Sequence, residues 1–417
     1  MSKRSVHESS VVGAAWATTI VAALGYLVDV YDLVLFSVVR VPSLATLGLN
    51  PEEIQSTGVL LLNIQMAGML LGGILWGLLG DKFGRCAVLF GSIACYSLAN
   101  IANAFVVDVT SYAIIRFVAG VGLAGELGAG TTLAVELLPA RLRGYATTII
   151  ATVGVLGAIL ASLVAGIVDW RWSYGIGGVL GLLLLMARVS THESSLILEV
   201  DKAERQIGAV IRLLLKPERL FRILACVAVG VPIWFAIGVL ITFAPELGQE
   251  IFGGAPSARY AVLAAYSGLF AGDLISGLMS QLMRTRKRVI FLFVTLGFLL
   301  SGGYLWLSNT EWTLYGWAFG VGFSMGYWAV LVTTSAEQFG TNVRATVATA
   351  VPNLIRGAII PLSLAVLSLR SYFAEKPLVW SSSFVGIGCY VFALAGLWSL
   401  RESFGADLNY VERDDSH

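Results

Sequence analysis

The apolar residues of this 417-residue chain fall into blocks of about 20 or more, the length a helix needs to cross a hydrocarbon layer roughly 30 Å thick. No water is present in such a layer to satisfy loose backbone groups, so each block must close its hydrogen bonds within itself. The blocks are too long for barrel strands and lack their two-residue alternation, which leaves the helix. With 57% of residues apolar and only 13% charged, a soluble globule is excluded. The expected fold is an all-α integral membrane protein whose first partner is the lipid bilayer.

Twelve spans are predicted, near residues 14–39, 55–79, 86–107, 111–138, 144–168 and 172–189, then 221–244, 260–283, 289–307, 312–337, 345–369 and 380–400. The first is too long for a signal-peptide core and reads as a retained span. Lys3, Arg4, Lys82, Arg85, Arg141, Arg143 and the run Arg284, Arg286, Lys287 and Arg288 fall on one side. The opposite loops hold Arg40, Arg171, Arg259, Arg370 and Lys376. The positive-inside rule then puts both termini in the cytoplasm. A net charge of +1 without an extended basic patch gives no sign of a nucleic-acid partner. The four cysteines lack metal-ligand or redox spacing, and the three histidines lie in polar segments. A histidine relay inside the membrane is thereby excluded, and neither a cofactor nor a metal is expected. The absence of any Asn-x-Ser/Thr acceptor is compatible with a bacterial inner membrane.

The chain repeats itself. Gly72, Gly77 and the pair Gly80 and Asp81 recur as Gly272, Gly277 and the pair Ser280 and Gln281, each followed by a basic turn. Glu136 and Arg143 recur as Glu337 and Arg344 with the same seven-residue separation. Residues 1–189 and 221–417 therefore read as two pseudo-symmetric six-helix bundles, joined by a cytoplasmic linker, 190–220, with a short amphipathic pattern. A duplicated bundle suits rocking about a central site, so alternating access is the mechanism implied.

The turn at 77–85, GLLGDKFGR, carries Gly77, Asp81, Lys82, Gly84 and Arg85 and resembles the first-half signature of the major facilitator superfamily. Cys86 stands where that signature has a last base. The stretches 135–144 and 336–345 look like the paired Glu-x-x-Pro-x-x-x-Arg turns of its sugar-porter and metabolite-symporter branches, with Gly340 in place of the second proline. The resemblance spans the whole chain. It implies a secondary transporter in which Asp81, partnered by Arg85 and Arg143, belongs to a cytoplasmic gate together with Glu136, Glu337 and Arg344. A carboxylate beside a helix N-terminus is electrostatically favoured, which gives that assignment a physical basis.

Ionisable groups within spans are costly and so are functional candidates by default. Asp29 and Asp32 share a face of the first span. Arg116 enters the fourth at a depth near Asp32, making an Asp32–Arg116 pair geometrically reasonable. Glu126 lies ten residues further on, about 15 Å along a helix. The segment from Arg116 to Glu126 resembles the fourth helix of phosphate and metabolite proton symporters, and Tyr31 with Asp32 resembles their first-helix signature. That resemblance implies proton coupling by Asp29, Asp32, Arg116 and Glu126. A buried ion pair that merely fixes two helices is the competing reading.

In the second half, Arg356 sits mid-span beside Asn353 and between Pro352 and Pro361, with Asp273 at comparable depth. Its planar fork could bind a substrate carboxylate or phosphate, or Asp273 could neutralise it. Trp234, Tyr327 and Trp328 are candidate cavity walls, although aromatics on membrane helices more often face lipid or neighbouring helices. Asn63 and Gln65 either offer polar contacts or bridge helices.

These features predict a proton-coupled symporter of a small polar metabolite, with an organic anion favoured by Arg356 and a monomer expected. The alternatives are a proton-driven exporter and a transporter-like nutrient sensor. The fifth span, GVLGAILA at 154–161, lacks the Gly-Pro and paired glycines usual in drug antiporters. No nucleotide loop, metal cluster or nucleophile–base pair suggests an enzyme.

Overall fold

The computed structural model describes residues 3–83, 85–125, 140–191, 216–405 and 412. Among them the regular elements are all helical. The first half contains α1 (Lys3–Thr46), α2 (Pro51–Phe83), α3 (Arg85–Asn103), α4 (Val109–Leu123), α5 (Ala140–Val164) and α6 (Trp170–Thr191). The second half contains α7 (Pro217–Trp234), α8 (Ala244–Phe252), α9 (Ala258–Leu282), α10 (Lys287–Trp306), α11 (Glu311–Met325), α12 (Trp328–Glu337), α13 (Thr341–Gly357), α14 (Ile359–Leu369) and α15 (Pro377–Ser399). Seven described segments are long and apolar enough to cross a membrane.

Three expected spans are broken, each for a local reason. The seventh passes from α7 into a π-helical turn, Phe235–Ile241, just after Pro232. The tenth is split between α11 and α12, where a side chain at Gly326 would collide with the backbone of Gly272 and Asp273. The eleventh is split at Ala358, because Pro361 has no N–H to donate to the carbonyl of Gly357 one turn earlier.

Helix partners recur between the halves. The pairs α1–α5, α2–α4 and α3–α6 of the first half match α7–α13, α9–α11 and α10–α15 of the second. The seams α2–α4 and α9–α11 are built the same way. Gly68 and Gly72 leave no room for a Cβ against the carbonyls of Phe117 and Val121, and Gly268 and Gly272 none against those of Phe319 and Phe323. Gly120 and Gly322 answer from the other side, against the carbonyls of Gln65 and Ala265. Small residues that let two backbones touch are the usual means of joining helices in lipid, where hydrophobic burial supplies little drive. The expected glycine repeat is therefore a repeat of helix contacts. The halves meet along α5–α9 and α2–α13, with α1 also against α9.

Candidate functional site

Among the described residues, two polar clusters and one terminal clamp interrupt the apolar interior. The clamp joins the end of α1 to the start of α8. Arg40, fully buried, meets Glu246 at 2.7 Å through Nη1 and 2.8 Å through Nη2. Nη2 also donates to the Thr242 carbonyl at 3.1 Å, and Thr242 Oγ1 donates to Ser37 Oγ at 3.0 Å. Arg370 to Gln55 (2.6 Å) and Ser363 to Asn63 (3.0 Å) tie further residues of the two halves together. Asn63 thus bridges helices, one of the two roles expected for it.

The first cluster lies within the first half. Arg116 donates to Gln65 Oε1 and, at 3.2 Å, to the Tyr174 hydroxyl, and it sits 4.2 Å from the centre of the Phe36 ring. Tyr174 in turn exchanges a 2.8 Å hydrogen bond with Tyr112. The expected Asp32–Arg116 ion pair is not formed, because Gln65 and Tyr174 occupy the polar edge of the guanidinium and Phe36 covers its face. Asp32, 1% exposed, points its Oδ1 at the space beside Gly177 of α6, and neither of its carboxylate oxygens has a hydrogen-bond partner.

The second cluster spans both halves. Arg356, 1% exposed, meets Asp29 rather than Asp273, through a single Nη2–Oδ2 contact of 3.4 Å. Asp29 lies eleven residues before Arg40 in α1, so the pair sits about 16 Å inward from the clamp. Arg356 is on the last turn of α13, directly before the Ala358 break. Its Nε and Nη1 are buried without a hydrogen-bond partner. Tyr26 and Tyr266 lie close enough to Arg356 to interact electrostatically with it. Trp328 donates from Nε1 to the Tyr26 hydroxyl at 3.2 Å.

Asp273 is engaged elsewhere. Its Oδ1 accepts the backbone N–H of Ala329 at 3.3 Å, in the first turn of α12, where a helix N-terminus favours an anion. That contact explains why it does not neutralise Arg356. Asn353 donates to the Ala124 carbonyl at 3.3 Å and so ties α13 to the end of α4. Tyr327 is fully buried and donates to the Val229 carbonyl at 2.8 Å, which makes it a helix tie rather than a cavity wall. Trp234 is packed in the apolar core. A separate cavity of about 280 Å³ opens between the π-helical turn after α7, α10 and α15, lined among others by Phe235, Phe298, Ser301 and Tyr390.

At the end opposite the clamp, Glu337 accepts from Arg286 at 3.4 Å and from Ser403 Oγ at 2.6 Å. Arg344 donates to the Phe339 carbonyl at 3.1 Å. The segment after α15 is held there as well. Glu402 accepts the backbone N–H of Arg286 at 2.9 Å, and Glu412 accepts from Arg219 at 2.9 Å and Arg222 at 3.2 Å. Gly84, Glu126 and Glu136 lie outside the described residues, as do the side chains of Asp81, Lys82, Arg85 and Arg143 and the surroundings of Gly77.

Sequence reasoning missed two relationships. In the sequence Arg40 reads only as a base of the outer loops, although its place directly behind an unbroken apolar run marks a charge needing a partner. The Asp29–Arg356 contact has no sequence signal beyond the depth of each residue.

A multi-pass helical membrane protein with charges buried between its halves is the architecture of a carrier. Residues 22–361 match the model of the Major Facilitator Superfamily, and the chain belongs to that family of membrane transporters. It is 26% identical over 369 residues to the putative niacin/nicotinamide transporter NiaP of Bacillus subtilis, covering 84% of this chain and 88% of that one. It is 29% identical over 284 residues to the 3-(3-hydroxy-phenyl)propionate transporter of Escherichia coli, covering 67% and 69%. The fold is similar to that of the xylose transporter XylE from E. coli in a partially occluded inward open conformation, with a TM-score of 0.72, 17% identity, and coverage of 95% and 100%.

Proposed function

We propose that the chain is a proton-coupled symporter that carries small organic anions, with aromatic carboxylates as the favoured class. Its twelve spans act as two six-helix lobes, 1–189 and 221–417, that rock about the Arg356 cluster, while 190–220 links them on the cytoplasmic side. It works as a monomer in the bacterial inner membrane with both termini in the cytoplasm. The matching helix partners and glycine seams of the two halves support the two-lobe reading.

One observation carries the substrate class. Arg356 is buried and fixed between the halves, yet two of its three nitrogens donate to nothing. Buried donors left unmade are costly, and a guanidinium edge of this kind matches a carboxylate bidentately. Tyr26, Tyr266 and Trp328 beside it supply aromatic surface. Relatives named for niacin and for a hydroxyphenyl propionate favour the same chemistry. Proton coupling is assigned to the buried acids of the first half, Asp29, Asp32 and Glu126, with Arg116. Asp81, Arg85, Arg143, Glu136, Glu337 and Arg344 serve the cytoplasmic gate.

Uptake of labelled nicotinate, benzoate and 3-(3-hydroxyphenyl)propionate into proteoliposomes tests the reading. Accumulation above equilibrium under an inward proton gradient, abolished by an uncoupler, is the expected outcome. Carriage of neutral sugars alone, or accumulation indifferent to the gradient, overturns it.

A further inference from the structure

The contact between Asp29 and Arg356 is a poor one for two buried charges. It is a single approach of 3.4 Å, whereas Arg40 and Glu246 in the same molecule meet twice, at 2.7 and 2.8 Å. Two desolvated ions repay the loss of water only when their geometry is good and their remaining hydrogen-bonding groups are satisfied. Neither condition holds at Arg356, whose Nε and Nη1 are left over. Asp29 therefore neutralises the arginine without saturating it.

We propose that Asp29 is the resident counter-charge that an anionic substrate displaces from Arg356, and that the displaced carboxylate takes up the co-transported proton. This rests on Arg356 being the anion site. The exchange balances in charge: carboxylate paired with guanidinium, plus substrate anion and one proton, becomes protonated Asp29 and a guanidinium–substrate pair. A buried carboxylate that has lost its arginine is far costlier than its neutral form, so substrate and proton bind together or not at all. Substrate alone would leave a net negative charge buried, and proton alone would leave Arg356 bare.

The neighbours narrow the proton's destination to Asp29. Among the described residues the titratable and charged groups about it are Tyr26 and Asp32 on α1, Tyr266 and Asp273 on α9, and Arg356 on α13, with Arg116 of α4 and Tyr174 of α6 beyond Asp32. Asp273 is committed to the first turn of α12. Asp32 makes no ion pair with Arg356, so an anion arriving there strips nothing from it. Among the described acids, Asp29 is the one that loses an ion pair with Arg356 when the site fills.

The test measures binding and proton uptake together. Purified full-length protein in weakly buffered detergent is titrated with nicotinate, benzoate and 3-(3-hydroxyphenyl)propionate, with a pH indicator present. In the parent protein one proton is expected to be taken up per anion bound. Asp29→Asn is expected to bind the anion several-fold more tightly, with no competitor to displace, and to take up no proton. It should still exchange anions across proteoliposomes while losing accumulation driven by a pH gradient. Asp29→Glu should restore proton uptake. If Asp29→Asn still takes up one proton per anion, or binds no more tightly than the parent, the proposal is wrong while the anion site stands. If Arg356→Gln binds anions as the parent does, or the parent binds none of the three, the anion site itself is wrong and the exchange falls with it.

Discussion

Arg40 and Glu246 close one end of the molecule by a two-point ion pair between the halves, with the arginine fully buried and the glutamate 20% exposed. Removing one partner of such a pair strands a charge and costs about 3–5 kcal/mol when both are buried, less where one reaches water. Arg40→Gln or Glu246→Gln should each lower the melting temperature in detergent, while the double variant should recover part of the loss. Additive losses in the double variant would show that the two do not act as a pair.

Arg356→Lys keeps the charge and loses the fork. Loss of a charge-assisted hydrogen bond is worth about 1.5–3 kcal/mol, so anion affinity should fall by roughly ten- to a hundredfold on that scale. Isothermal titration with benzoate against a neutral analogue such as benzamide checks this. Equal loss for both compounds would assign Arg356 to packing.

Asp273→Asn removes a charge from the first turn of α12 and should cost about 1 kcal/mol of stability. Anion affinity should not change, since Arg356 contacts Asp29. A thermal-shift assay with and without benzoate reads both quantities. A selective loss of anion binding would instead join Asp273 to the site.

Gly68→Val and Gly268→Val each press a side chain into a carbonyl of the facing helix. Overpacking of this kind costs typically about 1–3 kcal/mol, and similar losses are expected in the two halves. Gly302→Ala, which meets nothing within 4 Å, serves as the neutral control. Unequal losses at Gly68 and Gly268, read from melting temperatures, would contradict the matched seams.

Burial pushes Glu402 and Glu412 toward the neutral form, but their hydrogen bonds outweigh it and hold both below the ordinary 4.5. The donors are Thr285 and backbone N–H groups for Glu402, and Arg219 and Arg222 for Glu412. A lowered carboxylate contributes stability at pH values above 4.5 and loses it as pH falls through the lowered value. The protection of residues 401–405 against hydrogen exchange, taken relative to the intrinsic rate at each pH, should therefore fall at pH values below 4.5 and be retained at neutral pH. In Glu402→Gln that protection should be low at both.

The sequence made the helices, the repeat and the depth of each charge legible, because these depend on run length and on spacing along one chain. Gly72 and Gly272 could be matched by eye, and the structure gives them the same job. Partner choice was not legible. Whether Arg356 meets Asp29, Asp32 or Asp273 depends on how helices from opposite halves are rotated against one another, which no local pattern encodes. Asp32 and Arg116 lie at similar depth, yet Gln65 and Tyr174 reach the guanidinium first. Arg40 was hidden for another reason, since a base at the end of a span looks like a topology marker until its partner is seen. Pro352 and Pro361 flank Arg356 in the sequence, but that the break falls at Ala358 emerges only in the structure.

The glycine seams also have an ancestry-like symmetry that the charges refuse. One residue past Gly72 and Gly272, the first half has Gly73 and the second has Asp273. That matching address is thus tenanted by opposite chemistries, a blank opposite an acid. The two copies are therefore twins in the way their helices touch and strangers in the charge they set at that one address.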